Sequence, residues 1–221
     1  MASKIESILF ATVLAATAGC ATDPAHAFYD SDEEGTSSTE QDLALWRNDQ
    51  NGIIVPGIGF WGDWREHIYC NAGMWATGYR MRVEASQGGG DDTALNSVQL
   101  FCTTPTGRAE WITSFDGLWG GWTSASMCSG PGNYANGARI RIEGGQGRGD
   151  DTATNDVEFA CTQGGTISAP PGGAGWGSWG NWTTCPNNTA ICGLQIRFEG
   201  SQGGGDDTAM NGLKLDCCTL P

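Results

Sequence analysis

Three copies of one acidic motif offer the most chemistry in the sequence. They are QGGGDDTALN (Gln87 to Asn96), QGRGDDTATN (Gln146 to Asn155) and QGGGDDTAMN (Gln202 to Asn211). Each supplies paired carboxylates: Asp91 and Asp92, Asp150 and Asp151, Asp206 and Asp207. Glycosidases use two carboxyl groups that flank one bond, yet neighbouring residues on an extended chain point to opposite faces. A motif written three times also lacks the asymmetry of a catalytic constellation. The spacing therefore predicts a turn, with Gly88 to Gly90 supplying positive φ and the Asp and Thr side chains capping the backbone. Calcium is a second reading, because Glu84 with Asp91 and Asp92, Glu143 with Asp150 and Asp151, and Glu199 with Asp206 and Asp207 could gather hard oxygen ligands. Arg82, Arg141 and Arg197, two residues before each glutamate, offer a simpler partner as ion pairs. We expect no bound metal, no cofactor and no catalytic residue.

Aromatic residues supply the second kind of chemistry, since an exposed indole stacks on a sugar ring. Trp61 and Trp64, Trp119 and Trp122, and Trp179 and Trp182 each read W-G-x-W, and their recurrence marks them as packing elements. Trp75, Trp111 and Trp176 have no counterpart in all three copies; core or edge packing is the expected role of these large aromatics, and they are the candidates for sugar stacking if any indole serves it. Two GxGxxG matches, Gly57 to Gly62 and Gly175 to Gly180, do not open a helix in a βαβ unit, and no P-loop, HExxH or GxSxG motif is present.

The elements that hold these residues are short strands. The first aspartates of the motif lie 59 and then 56 residues apart, so one unit recurs and stacks on its copies. Before each motif, Tyr79, Met81 and Val83 alternate with Arg80, Arg82 and Glu84, and the same pattern returns at Ala138 to Glu143 and Leu194 to Glu199. After it, Val98, Leu100 and Cys102 alternate again, matched by Val157, Phe159 and Cys161 and by Leu213, Leu215 and Cys217. Period-2 alternation predicts strands with one buried face, each repeat forming a small sheet. Nearly constant separations of 32, 33 and 32 residues suggest one staple per repeat, Cys70 with Cys102, Cys128 with Cys161 and Cys185 with Cys217, which leaves Cys192 and Cys218 as a fourth pair, although spacing alone does not prove connectivity.

The W-G-x-W pair, the strand ending in glutamate, the QGGGDDTALN motif and the cysteine after it resemble the vitelline membrane outer layer protein 1 family. ICGLQIRFEGSQGGGDDTAMNGLKLDCC in the third repeat is especially similar, and the resemblance runs from about Ile53 to Thr219. It implies an all-β fold, a β-prism of three antiparallel Greek-key sheets with pseudo-threefold symmetry. It also implies an extracellular protein of protective coats that interacts with oligosaccharides.

The flanking sequence fits export. Lys4, the apolar run Ile8 to Ala18 and Ala25-His26-Ala27 read as a signal peptide over residues 1–27. An alternative places a lipoprotein signal before Cys20, making a lipid anchor there. Residues 28–42 carry six acids and no base, and read as a disordered leader before a prism domain at 43–221, its repeats near 53–105, 106–164 and 165–221. A formal charge of −14 excludes nucleic acid as a partner, and no segment reads as a transmembrane helix. The expected function is a secreted, non-enzymatic, structural or glycan-binding coat protein. The alternative is a carbohydrate-active enzyme, a transferase or hydrolase acting on N-acetylglucosamine-type oligosaccharides.

Overall fold

A computed structural model describes residues 47–87, 93–145, 153–203 and 207–221. The export signal, the acidic leader and Cys20 lie outside these residues, as do Asp91, Asp92, Asp150, Asp151 and Asp206.

Fifteen strands build three antiparallel sheets. In sheet I, β4 (Trp75–Val83) and β5 (Leu95–Thr103) form the long central pair, flanked by β6 (Ala109–Ile112) on one side and by the short β7 (Gly121–Trp122) and β8 (Ser126–Met127) on the other. Sheet II repeats this with β9 (Ala135–Ile142), β10 (Thr154–Cys161), β11 (Thr166–Ser168), β12 (Ser178–Trp179) and β13 (Thr183–Thr184). The order β6-β5-β4-β7 is a Greek key, three consecutive strands with the fourth returning beside the first.

Sheet III is assembled from both ends of the described chain. Its long pair is β14 (Thr189–Phe198) and β15 (Met210–Thr219), but its flanking strands are β1 (Gln50–Ile58), β2 (Asp63–Trp64) and β3 (Ile68–Tyr69). The expectation that each repeat is its own sheet therefore needs correction. The long pair of one repeat is completed by the first strands of the next, and β1 to β3 come round to complete the last. The cause is geometric: exchanging strands pairs both edges of every long hairpin, where a separate sheet would leave open edges.

The alternation read from sequence places the core. Tyr79, Met81, Val98, Leu100, Ala138, Ile140, Val157, Phe159, Leu194, Ile196, Phe198, Leu213 and Leu215 are all buried and face one another between the three sheets. Such packing is what period-2 strands produce when each has one apolar face.

Disulfides join Cys70 to Cys102, Cys128 to Cys161, Cys185 to Cys217 and Cys192 to Cys218. The first three cross from sheet to sheet. Cys70, Cys128 and Cys185 each follow the last short strand of one sheet and donate a backbone hydrogen bond to its long strand, at Cys192, Thr77 and Asn136. Their partners lie in β5, β10 and β15 of the next sheet, so sheets III and I, I and II, and II and III are covalently stapled in a ring. The fourth disulfide lies within sheet III.

Candidate functional site

The described part of the acidic motif is tied into hydrogen-bond chains. Thr93 Oγ1 donates to Glu84 Oε2 at 2.7 Å and accepts from Asn96 Nδ2 at 2.7 Å, while Asn96 Oδ1 accepts the backbone N–H of Trp119 at 3.0 Å. Sheet III repeats the chain: Thr208 Oγ1 donates to Glu199 at 2.6 Å, Asn211 bonds to Thr208, and Asn211 Oδ1 accepts from Trp61 N–H at 3.1 Å. Both asparagines are fully buried, so these bonds satisfy groups that would otherwise be costly to bury. In sheet II, Glu143 N–H likewise donates to the Ala153 carbonyl at 2.8 Å. Asp207 accepts from the backbone N–H of Gln202 at 2.5 Å, a local turn bond.

The arginines bond to backbone carbonyls, while most of the aspartates expected as their ion-pair partners lie outside the described residues. Arg82 donates to the carbonyls of Gly120, Asp116 and Gly117 at 3.1, 3.1 and 3.2 Å. Arg197 donates to those of Gly62, Gly59 and Phe60 at 2.9, 3.0 and 3.2 Å, and Arg141 to that of Gly177 at 3.2 Å. A planar fork of donors suits a bent backbone with clustered carbonyls, so each of these arginines fastens the loop that leads into the short strand beside its own.

This bonding pattern corrects the alignment of the tryptophans. Gly62, Gly120 and Gly177 share φ values of 76°, 76° and 71° and press against the backbone of Phe198, Val83 and Ile142. The third W-G-x-W is therefore Trp176-Gly177-Ser178-Trp179, not Trp179-Gly180-Asn181-Trp182. Trp176 is the counterpart of Trp61 and Trp119, so it is not an unrepeated residue. Trp75 is not a sugar platform: it is 4% exposed, packed on Tyr134 at 5.7 Å with the Arg47 guanidinium 5.2 Å from its ring. Trp111 is half-buried against Phe101 at 4.8 Å, and Arg80 lies 4.8 Å from its ring and 4.9 Å from that of Trp122.

The three junctions between sheets differ where symmetry would make them alike. Between sheets III and I, Phe198 meets Phe115 at 4.6 Å and Trp119 at 6.4 Å, and Arg65 covers both phenylalanines at 4.8 and 5.5 Å. Between sheets II and III, β1 fills the space, with Gly57 directly against Ile140 and Ile142. Between sheets I and II the corresponding positions are Val83, Thr123 and the loop Pro171–Trp176, and these small residues leave a cleft of about 510 Å³. Trp122 and Trp176 line it, with Glu84 and Ser86 at its sheet I side. Trp176 is 38% exposed.

Two groups, the buried Tyr79 and the half-buried Asp156, hold the cleft's loop. Tyr79 OH donates to Val157 O at 2.7 Å and accepts Ala169 N–H at 2.8 Å, just before the loop. Burial pushes the Tyr79 phenol well above its usual range. Asp156 accepts the backbone N–H groups of Gly173 and Val157; burial raises its pKa, and these two bonds oppose the rise. A smaller hollow of about 260 Å³, around Pro105, Pro131 and Tyr134, has no charged side chain on its walls. Among the described residues no cluster of three metal-ligating side chains occurs, and no helix is long and apolar enough to cross a membrane.

Three Greek-key sheets around a shared core, completed by exchanged strands, make this a β-prism protein. The solved artocarpin–mannotriose complex has the same fold, with a TM-score of 0.50 and 10% identity over 76% of this chain and 97% of that one. The profile of the Vitelline membrane outer layer protein I family matches residues 52–220. The "Vitelline membrane outer layer protein 1 homolog" of Homo sapiens is 40% identical over 177 residues, 78% of this chain and 85% of the human protein. Its Mus musculus counterpart is 37% identical over 170 residues, covering 75% and 82%. The chain belongs to the vitelline membrane outer layer protein I family.

Proposed function

We propose that this is a secreted, non-enzymatic glycan-binding protein of an extracellular coat or matrix, and that it binds sugar in the cleft between sheets I and II. The observation that carries the reading is the broken symmetry: this junction keeps an open cleft where Phe115, Phe198 and Arg65 fill the one between sheets III and I, and two indoles line it. Its volume lies in the usual range for small-ligand sites, and indole faces suit the apolar faces of pyranose rings. The artocarpin structure was solved with mannotriose, which shows a prism scaffold in a sugar complex. Secretion is supported by the signal-like N-terminal sequence and by four disulfides, which persist in oxidising compartments. Among the described residues lining the cleft, only Glu84 carries a carboxylate, where glycoside hydrolysis uses two.

Calorimetric titration of the oxidised protein with a panel of neutral and charged oligosaccharides tests this reading. Trp176→Ala should weaken the best ligand by roughly tenfold or more, the scale of one lost aromatic stacking contact. Undiminished affinity in Trp176→Ala and Trp122→Ala, both still folded by circular dichroism, would move the site elsewhere. Absence of binding at millimolar sugar would leave a purely structural protein.

A further inference from the structure

We propose that the cleft between sheets I and II selects saccharides bearing a free amino group, with the Glu84 carboxylate as counter-ion to the ammonium. This deepens the glycan-binding reading and rests on it.

The first argument is the charge of the walls. Of the described residues that line the cleft, Glu84 alone is charged; the others are apolar, hydroxyl-bearing or glycine. Sulfated, phosphorylated or uronic sugars would find no cation there, and the chain's charge of −14 repels them at longer range. A cation finds a carboxylate and the negative face of the Trp176 indole, while the Trp122 ring already carries the Arg80 guanidinium at 4.9 Å.

The second argument is that Glu84 is fixed and its nearest arginine is committed. Thr93 Oγ1 holds one carboxylate oxygen at 2.7 Å, and Gln87 Nε2 approaches the other at 3.4 Å. Both partners are neutral donors, which orient the group without cancelling its charge. The Arg82 guanidinium is turned to three backbone carbonyls of the Asp116–Gly120 segment. A positioned carboxylate at a partly desolvated rim forms stronger charge-assisted bonds than an exposed one.

The third argument comes from the protein itself. The equivalent junction between sheets III and I is occupied by a cation: Arg65, whose guanidinium lies over Phe115 and Phe198 at 4.8 and 5.5 Å. Arg65 follows Trp64 and donates its N–H to Ile196 O; Thr123 follows Trp122 and donates its N–H to Met81 O. Phe198 pairs with Asp63 as Val83 pairs with Gly121. Where sheet III supplies an arginine and a phenylalanine, sheet I has Thr123 and Val83. The open cleft thus corresponds to a place that this fold fills with a cation against aromatic rings, and here the cation must come from the ligand.

Titration at about pH 6, where a sugar amine is protonated, compares a tetramer of β-1,4-linked glucosamine with its fully N-acetylated form. The amino tetramer should bind roughly tenfold more tightly, as expected of one charge-assisted contact. The preference should collapse in Glu84→Gln, which keeps the size and the Thr93 bond, and shrink with added salt. Thr123→Arg, which installs the side chain that sheet III carries, should abolish amino-sugar binding while leaving Glu84 in place. Melting curves check that each variant is folded. Equal affinity for the two tetramers, or a preference unchanged by Glu84→Gln, overturns the proposal; if that binding is still lost in Trp176→Ala, the cleft stands as a neutral glycan site. Failure of every sugar to bind removes both readings.

Discussion

Tyr79 shows how one side chain can serve both core and site. Its ring packs on Phe159 at 4.5 Å while its hydroxyl bridges to Val157 and Ala169 of the next sheet. Tyr79→Phe keeps the packing but leaves a fully buried N–H without its acceptor, which should cost about 2 kcal/mol. Urea denaturation would measure this, and a value under about 0.5 kcal/mol would mean that the Ala169 segment relaxes to another partner. Trp75 teaches the opposite lesson about legibility. In the sequence it is an unrepeated indole open to either role, and the residues that pack on it, Tyr134 and Arg47, are far away in the chain. The alignment error at Trp179 was avoidable in principle, because Trp64, Trp122 and Trp179 all precede a cysteine by six residues. The roles of Arg82, Arg141 and Arg197 were not readable, since their acceptors are carbonyls, which every residue carries.

Among the elements, the Pro171–Trp176 loop departs most from its siblings, and it makes the cleft. Asp156 pins it through the Gly173 N–H, and burial raises that carboxyl's pKa above the ordinary value. An acid whose pKa is raised by folding binds its proton more tightly in the folded state. Its contribution is then fully present below the unfolded pKa and is lost as pH rises through the folded one. Replacement by Asn removes this titration, so the melting temperature of Asp156→Asn relative to wild type should climb between about pH 4 and pH 7. A difference that stays constant over that range would place the group's pKa at the same value in both states. Strands were legible because alternation needs only local sequence. The exchange of β2, β7 and β12 into the preceding sheet was not, because a two-residue strand carries no periodicity.

At the scale of the whole molecule, three cystines close a covalent ring through sheets I, II and III. Each spans 32 or 33 residues, for which loop entropy gives about 3 to 4 kcal/mol. Removing the pair that joins the sheets of the cleft, by Cys128→Ala with Cys161→Ala, should lower unfolding free energy by that amount in chemical denaturation. A loss below about 1 kcal/mol would show that the noncovalent junction already restrains the unfolded chain. The threefold plan itself was readable, since the motif is written three times. The place where it breaks was not, because a cleft arises from what neighbouring loops fail to fill.

The return of β1 to pair with β15, with Thr219 N–H bonded to Asp49 O at 2.9 Å, also fixes an order of assembly. A ribosome releases β1, β2 and β3 first and their partners β14 and β15 last. Sheets I and II can zip behind the growing chain, but the opening strands must wait through nearly all of synthesis with Ile53, Ile54 and Val55 unpaired. Long-range pairing is slow even in free solution. The earliest-made strands are thus the ones most in need of a chaperone, and β14 and β15 are the ones that release them.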